Sequence, residues 1–325
     1  MNTALQLMMD KLNHEVENLD VGEKPVELYD PIYYILKLGG KRLRPLLSLV
    51  SYSLFREDWE RILKPALAVE VFHNFTLMHD DIMDRAPLRR GKSTVHEKWN
   101  DNIAILSGDV MFVKTYDLLL NIEAEKLPLA LSKFNQCATE VCEGQQLDMN
   151  FEDRSEVSEA EYLHMIRLKT AVLLGFSLEL GALLAGADKE SCQALYDFGV
   201  NIGVGFQLKD DLLDVYADQN KFGKQLGGDI IANKKTFLLI EALEKAEGEQ
   251  KEALDYWLSQ RDFDNTEKVK AVTTIYDKLG VKETTESKMN TFFELGFECL
   301  DQLKVPREKV AVLKSFAQDL INREK

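Results

Sequence analysis

The sequence predicts an all-α protein built as one large helical bundle. Apolar residues recur at helical spacing almost everywhere, as in Leu43, Leu46, Leu47, Val50 and then Leu54. Strand-like alternation is nearly absent. No Pro/Gly/Ser-rich linker or low-complexity run divides the 325 residues, and the 45% that are hydrophobic are enough for a large core. A single domain over 1–325 is therefore expected, although a chain of this length more often folds as two.

Taken in order, the periodic segments place helices near 3–19, 26–38, 43–56, 60–84, 99–121, 127–149, 158–186, 189–217, 234–247, 249–260, 264–280, 282–303 and 306–323. The breaks fall at Gly39-Gly40, Pro87, Gly91, the Gly223 to Gly228 region and Pro306, all residues that end or interrupt helices. The first segment, MNTALQLMMDKLNHEVENLD, spreads its charges throughout and lacks the apolar run of a signal peptide. The most apolar stretch, AVLLGFSLELGALLAGA at 171–187, contains Glu179 and lies at the short limit for a membrane span. A helix buried mid-bundle is the expectation.

Cys137, Cys142, Cys192 and Cys299 form no CxxC pair and no framework spacing, which suits reduced thiols in a cytoplasmic protein. With 40 basic and 55 acidic side chains the net charge is −15, which argues against nucleic acid as a partner. Dense basic clusters stand out against that background.

Two acidic motifs echo each other: DDIMD at 80–84 returns as DDLLD at 210–214. On a helix, residues four apart share a face about 5.4 Å apart, so Asp80 and Asp84 point one way, as do Asp210 and Asp214. Asp81 and Asp211 sit about 100° round, placed for a bridging or outer role. Each motif lies in an apolar helix (FHNFTLMHDDIM and VGFQLKDDLLDVY), unlike a solvated acidic face. Carboxylates so paired call for a cation, and hard Mg²⁺ suits them, completing its shell with water and phosphate oxygens.

The basic clusters are GGKRLRP (39–45), with Lys41, Arg42 and Arg44; RRG (89–91), with Arg89 and Arg90; Lys169-Thr170; and GKQLGGDIIANKKT (223–236), with Lys224, Lys234 and Lys235. Each alone reads as surface charge. Beside the acidic motifs they describe a site for a metal-chelated diphosphate.

Together these residues resemble the trans-isoprenyl diphosphate synthases, which make farnesyl and geranylgeranyl diphosphate. The motifs stand in the family's order: GGKRLRP, HDDxxDxxxxRRG, GQQLD (144–148), KT (169–170), FQLKDDLLD (206–214) and GKxxGxD. The resemblance implies the all-α isoprenoid synthase fold with a central active-site cavity, a homodimer, and condensation of isopentenyl diphosphate with an allylic diphosphate. It also implies three Mg²⁺ ions bridging the allylic diphosphate, with Asp80, Asp84 and Asp210 as first ligands and Asp81, Asp211 and Asp214 close by. Lys41, Arg44, His73 and Arg90 match the clamp for isopentenyl diphosphate. Arg89, Lys169, Gln207, Lys224 and Lys234 match contacts to the allylic diphosphate, with Thr170 near the reacting carbons. Asn233 stands where the family usually has glycine.

Residues before the first motif bear on product length. Phe72, Phe75 and Thr76 are expected to wall the hydrocarbon pocket, and a lone aromatic at the fifth position resembles the C20-making type, with C15 as the alternative. Three rival readings fit less of the pattern. An HD-type phosphohydrolase would use His79 and leave DDLLD unexplained. A Ca²⁺-binding helical protein would want a D-x-D-x-D-G loop. A terpene cyclase usually lacks the clamp formed here by Lys41, Arg44 and His73.

Overall fold

The computed structural model describes residues 3–217 and 226–322. Its helices are α1 Thr3–Glu17, α2 Val26–Lys37, α3 Leu43–Ser53, α4 Leu63–Met83, α5 Val95–Lys98, α6 Asp101–Leu119, α7 Leu127–Glu152, α8 Glu159–Ile166, α9 Val172–Ala185 and α10 Lys189–Tyr216. They continue with α11 Gly228–Ile231, α12 Phe237–Lys245, α13 Gly248–Ser259, α14 Asn265–Lys278, α15 Val281–Asp301 and α16 Arg307–Ile321. The all-α reading of the sequence is borne out. Some helices begin on polar caps: at α6 Asn100 accepts from Ile103 N at 2.9 Å, and at α14 Asp264 accepts from Glu267 N at 2.9 Å. Ser158 and Glu161 close a capping box at the start of α8.

Four features differ from the sequence pattern, each for a local reason. Two strands, β1 Leu88–Arg89 and β2 Lys92–Ser93, form a hairpin too short to register as alternation. Its two-residue turn is Arg90-Gly91, both at positive φ (53° and 73°), as a primed hairpin turn requires. Between α8 and α9 the backbone widens into a π-turn, Arg167–Ala171, which carries the Lys169-Thr170 pair. Two short helices, α5 and α11, fill segments read as connections, and α12 starts at Phe237 rather than 234.

The chain divides into two compact units, the first comprising Met1–Gln136, Phe176–Tyr196 and Lys304–Lys309, the second Cys137–Gly175, Asp197–Leu303 and Val310–Lys325. In the first unit α4 is buried almost all round, with Ala66, Leu67, Ala68, Val69, Val71 and Phe72 at most 1% exposed. That explains why its sequence shows no amphipathic stripe. Phe72, Phe112, Phe134 and Phe176 join in an aromatic core, with ring centroids 5.1 Å apart for Phe72 and Phe134 and 5.8 Å for Phe134 and Phe176. The apolar run 171–187 is buried continuously from Ala171 to Ala182. Its Glu179 pairs with Lys133 at 2.7 Å, which resolves the charge inside that helix. In the second unit Phe198, Leu208, Phe237, Leu238 and Phe293 form the core. Gly144 brings α7 against the π-turn so closely that a Cβ there would lie 2.2 Å from Lys169 N.

Candidate active site

Asp80, Asp81 and Asp84 occupy the last turn and C-cap of α4, where the helix dipole is already negative. Three carboxylates there destabilise the helix end unless cations answer them. Asp81, buried, is answered within the protein: Arg89 donates to it in bidentate fashion at 2.7 and 2.8 Å. Burial still pushes its pKa up, against the pull of Arg89. Asp80, by contrast, is reached by Arg89 only at 3.7 Å and keeps partial exposure, and Asp84 is exposed. The motif therefore splits. Asp81 anchors the RRG hairpin, while Asp80 and Asp84, four apart, present oxygen to solvent.

The GGKRLRP segment is ordered by its middle arginine. Arg42, at φ 46° and 6% exposed, runs inward to donate to Glu70 at 2.5 Å and to Leu36 O at 2.5 Å. Asn74 donates to the same Glu70 carboxylate at 2.9 Å. That buried pair fixes the turn from which Lys41 and Arg44 project. Arg44 Nη1 lies 3.2 Å from His73 Nε2, and since a guanidinium only donates, that imidazole nitrogen is the acceptor. Desolvation, then Arg44 and Arg90, hold the His73 pKa well below its usual value, so the ring is neutral. Arg90 packs its guanidinium on Gly40, where a Cβ would approach to 2.8 Å. Arg44, His73 and Arg90 thus meet at one loop, with His73 aiming Arg44.

Immediately before the acidic motif, the His79 ring lies 3.2 Å from Ile105 O, against Gly108 of α6. Its Nε2 is engaged with α6. Below it Phe75 stacks on Phe112 at 5.2 Å and meets Phe72 at 5.7 Å, and Thr76 turns its hydroxyl back to His73 O at 2.8 Å.

In the second unit DDLLD likewise ends a helix, α10, and splits the same way. Asp211 is buried and accepts from Tyr162 OH at 2.5 Å, Gln207 Nε2 at 3.2 Å and Phe237 N at 3.4 Å. Burial first, and Asp229 second, push its pKa up to about 7. Asp210 and Asp214 stay partly accessible. Asp214 receives the Asp229 N–H at 3.0 Å, and Asp229 itself is pushed up to about 6 by burial and by Asp214. On the neighbouring π-turn, Thr170 donates to Gln207 at 3.4 Å and Lys169 to Asp148 at 2.6 Å. Lys234 reaches the same Asp148 at 4.0 Å. Lys224 lies outside the described residues.

Among the described residues no three carboxylate, imidazole or thiol groups stand close enough to hold an ion by themselves. The accessible donors are all carboxylate oxygens on helix C-termini. Both facts fit Mg²⁺, which takes one or two carboxylates and draws its remaining ligands from water and substrate phosphate.

The sequence model of the family "Polyprenyl synthetase" matches residues 25–276. The chain belongs to the polyprenyl synthetase family. The Geoglobus acetivorans geranylgeranyl pyrophosphate synthase is 43% identical over 236 residues, covering 72% of this chain and 74% of that protein. The Methanosarcina mazei geranylgeranyl diphosphate synthase is 37% identical over 330 positions, 98% of this chain and 99% of the other. A crystal structure of geranylgeranyl pyrophosphate synthase superposes with TM-score 0.92 at 40% identity, with all of both chains covered. The resemblance read from the motifs and the isoprenoid synthase fold it implied are borne out. Members of the family use Mg²⁺.

Sequence reasoning missed several residues that shape this geometry. Glu70 and Tyr162 each neutralise or anchor a motif residue from afar, and no spacing rule announces them. Phe112 became visible only once α6 was laid beside α4. Asp148 and Asp229 did carry a signal, as the acidic positions of GQQLD and GKQLGGD, and went without a role.

Proposed function

We propose that this chain, acting over 1–325 as one catalytic domain, condenses isopentenyl diphosphate with an allylic diphosphate to give geranylgeranyl diphosphate and inorganic diphosphate. The observation that carries the reading is the split of both DDxxD motifs at helix C-termini. Each buries its second aspartate against internal partners and leaves the first and last at least partly accessible, with phosphate-binding cations close at hand. The family match spans both units, which supports a role for both in one reaction.

In this reading Asp80, Asp84, Asp210 and Asp214 hold the Mg²⁺, three ions in all, and Asp81 and Asp211 hold the motifs in place. The metal, when bound, stabilises the charge developing on the leaving diphosphate. Arg89, Lys169, Lys224, Lys234 and Gln207 bind that diphosphate, and Thr170 lies near the carbon it leaves. Lys41, Arg44 and Arg90 bind the second diphosphate, with neutral His73 orienting Arg44. The allylic C–O bond breaks, the alkene carbon of isopentenyl diphosphate bonds to the allylic C1, and a proton leaves to the released diphosphate. No protein nucleophile takes part. The aromatic floor of Phe75, Phe72 and Phe112 limits the product to C20.

A second copy completes the enzyme. On α6 and its C-cap, Leu106, Val113 and Leu120 recur every seven residues and are 57%, 58% and 61% exposed, an apolar stripe suited to a twin helix. A cytoplasmic setting fits the four cysteines, none of which forms a disulfide. Incubation with isopentenyl diphosphate, each allylic diphosphate and Mg²⁺, followed by mass analysis, tests the reading. A C20 diphosphate is expected, and no chain elongation with any starter would overturn it.

A further inference from the structure

Lys268, on α14, is fully buried at 0% exposure. Among the described residues no carboxylate pairs with it. Its ammonium instead donates to Asn233 Oδ1 at 2.6 Å and to Ile231 O at 3.3 Å, and lies 4.1 Å from the centre of the Phe263 ring. A lysine buried without an anion is held at a cost, and desolvation pushes its pKa down. What it grips is a single turn. After α11 the backbone bends through Asn233 at φ 53°, with Asn233 N on Ile230 O at 3.2 Å and Lys234 N on Asp229 O at 2.9 Å. Asn233 Nδ2 ties the same turn to Leu258 O at 3.1 Å. The next residue is Lys234, which points to Asp148.

Glycine would take that left-handed conformation freely, without side-chain support. Asparagine tolerates it but brings a part-buried amide whose oxygen gains from a donor. Lys268 supplies the donor and also caps the last carbonyl of α11. We infer that Lys268 is a positioning residue for the allylic diphosphate, holding the Asn233 turn so that Lys234 is presented to it. This rests on the reading of Lys234 as a contact to that diphosphate. It also gives the C-terminal helices, which carry no family motif, a part in substrate binding.

The test compares the full-length wild type with Lys234→Ala, Lys268→Met and Lys268→Met/Asn233→Gly, measuring both Michaelis constants, kcat and thermal stability. Lys268→Met should raise the allylic KM about tenfold, as loss of one charge-assisted contact does. The KM for isopentenyl diphosphate should stay within about twofold. The added Asn233→Gly change, which removes the stranded amide and accepts positive φ, should return the allylic KM most of the way. Both Michaelis constants rising together, a loss of stability alone, or no recovery in the double variant would overturn the inference. An effect of Lys234→Ala without one of Lys268→Met would overturn the inference alone. No effect of Lys234→Ala on the allylic KM would overturn the reading of Lys234 and the inference with it.

Discussion

Replacing Phe75 with alanine should lengthen the product by one five-carbon unit. Along α4, at about 1.5 Å per residue, Thr76, Phe75 and Phe72 lie roughly 6, 7.5 and 12 Å before Asp80, where the proposed function places the diphosphate end of the growing chain. The Phe75 ring is braced by Phe112 at 5.2 Å, Phe72 at 5.7 Å and His79 at 4.7 Å, so it does not swing aside for an incoming tail. Its removal opens about 4.5 Å more depth, down to the Phe72 ring. Phe72 is fully buried and set edge-on against Phe134 at 5.1 Å, so it forms the next stop. The expected product shifts from C20 to C25 without a ladder of longer chains. Stability should fall by about 3 kcal/mol, the low end for a phenylalanine truncation, because Phe75 is only half-buried. Products resolved by length after dephosphorylation, alongside a melting curve, provide the assay. An unchanged C20 profile in a folded, active variant would refute the floor. A shift that Phe112→Ala reproduces would show that the stacked pair acts as one barrier.

Four further outcomes are expected. EDTA should abolish turnover and Mg²⁺ restore it, and Asp80→Ala or Asp210→Ala should lower kcat by several orders of magnitude; turnover that survives chelation contradicts the metal role. Arg44→Ala should raise the KM for isopentenyl diphosphate by about tenfold to a hundredfold, the worth of a charge-assisted contact of roughly 1.5–3 kcal/mol, and leave the allylic KM nearly unchanged. In metal-free protein, an unfolded aspartate ionises near 3.8, whereas native Asp211 keeps its proton to about 7. The unfolded state therefore releases its proton first, and stability falls as pH rises from 4 to 7, by at most about 4 kcal/mol from this group. Asp211→Asn should flatten that fall in urea titrations at pH 5 and 8, and an unaltered slope would assign it elsewhere. Val113→Glu should halve the mass seen in sedimentation by burying a charge in the proposed twin-helix interface, and a dimer that persists would place that interface on another face.

The fold was legible wherever helical periodicity ran long and clean, and illegible where structure depends on two or three residues. The Arg90-Gly91 turn makes a hairpin from strands of two residues each, which no window of alternation detects. The π-turn at Arg167–Ala171 leaves the apolar pattern on both sides intact, so the sequence shows one helix from 158 to 186. The site was legible as motifs because diphosphate and metal constrain residue type and spacing at once. The internal division of labour was not. Whether an aspartate in DDxxD faces solvent or turns to Arg89 or the buried Tyr162 depends on partners 8 and 49 residues away. Arg42 illustrates the same limit: among three neighbouring cations it looks the equal of Lys41 and Arg44, and only Glu70 reveals it as the one that builds the loop.

That division follows from where the motifs sit. A carboxylate at a helix C-terminus is repelled by the dipole, and a second one four residues away adds to the repulsion. A helix end carrying three needs compensation before any substrate arrives. Each motif meets it by drawing its second aspartate inward, in α4 to a guanidinium and in α10 to a phenol, a side-chain amide and a backbone N–H. In the proposed function the remaining pair receives a divalent cation carried in by a diphosphate, which relieves the repulsion between its two carboxylates. The two motifs differ in what meets the inward aspartate. Asp81 is matched by a full positive charge in direct contact, whereas Asp211 accepts from neutral donors, feels Lys234 only at a distance, and holds its proton to about 7.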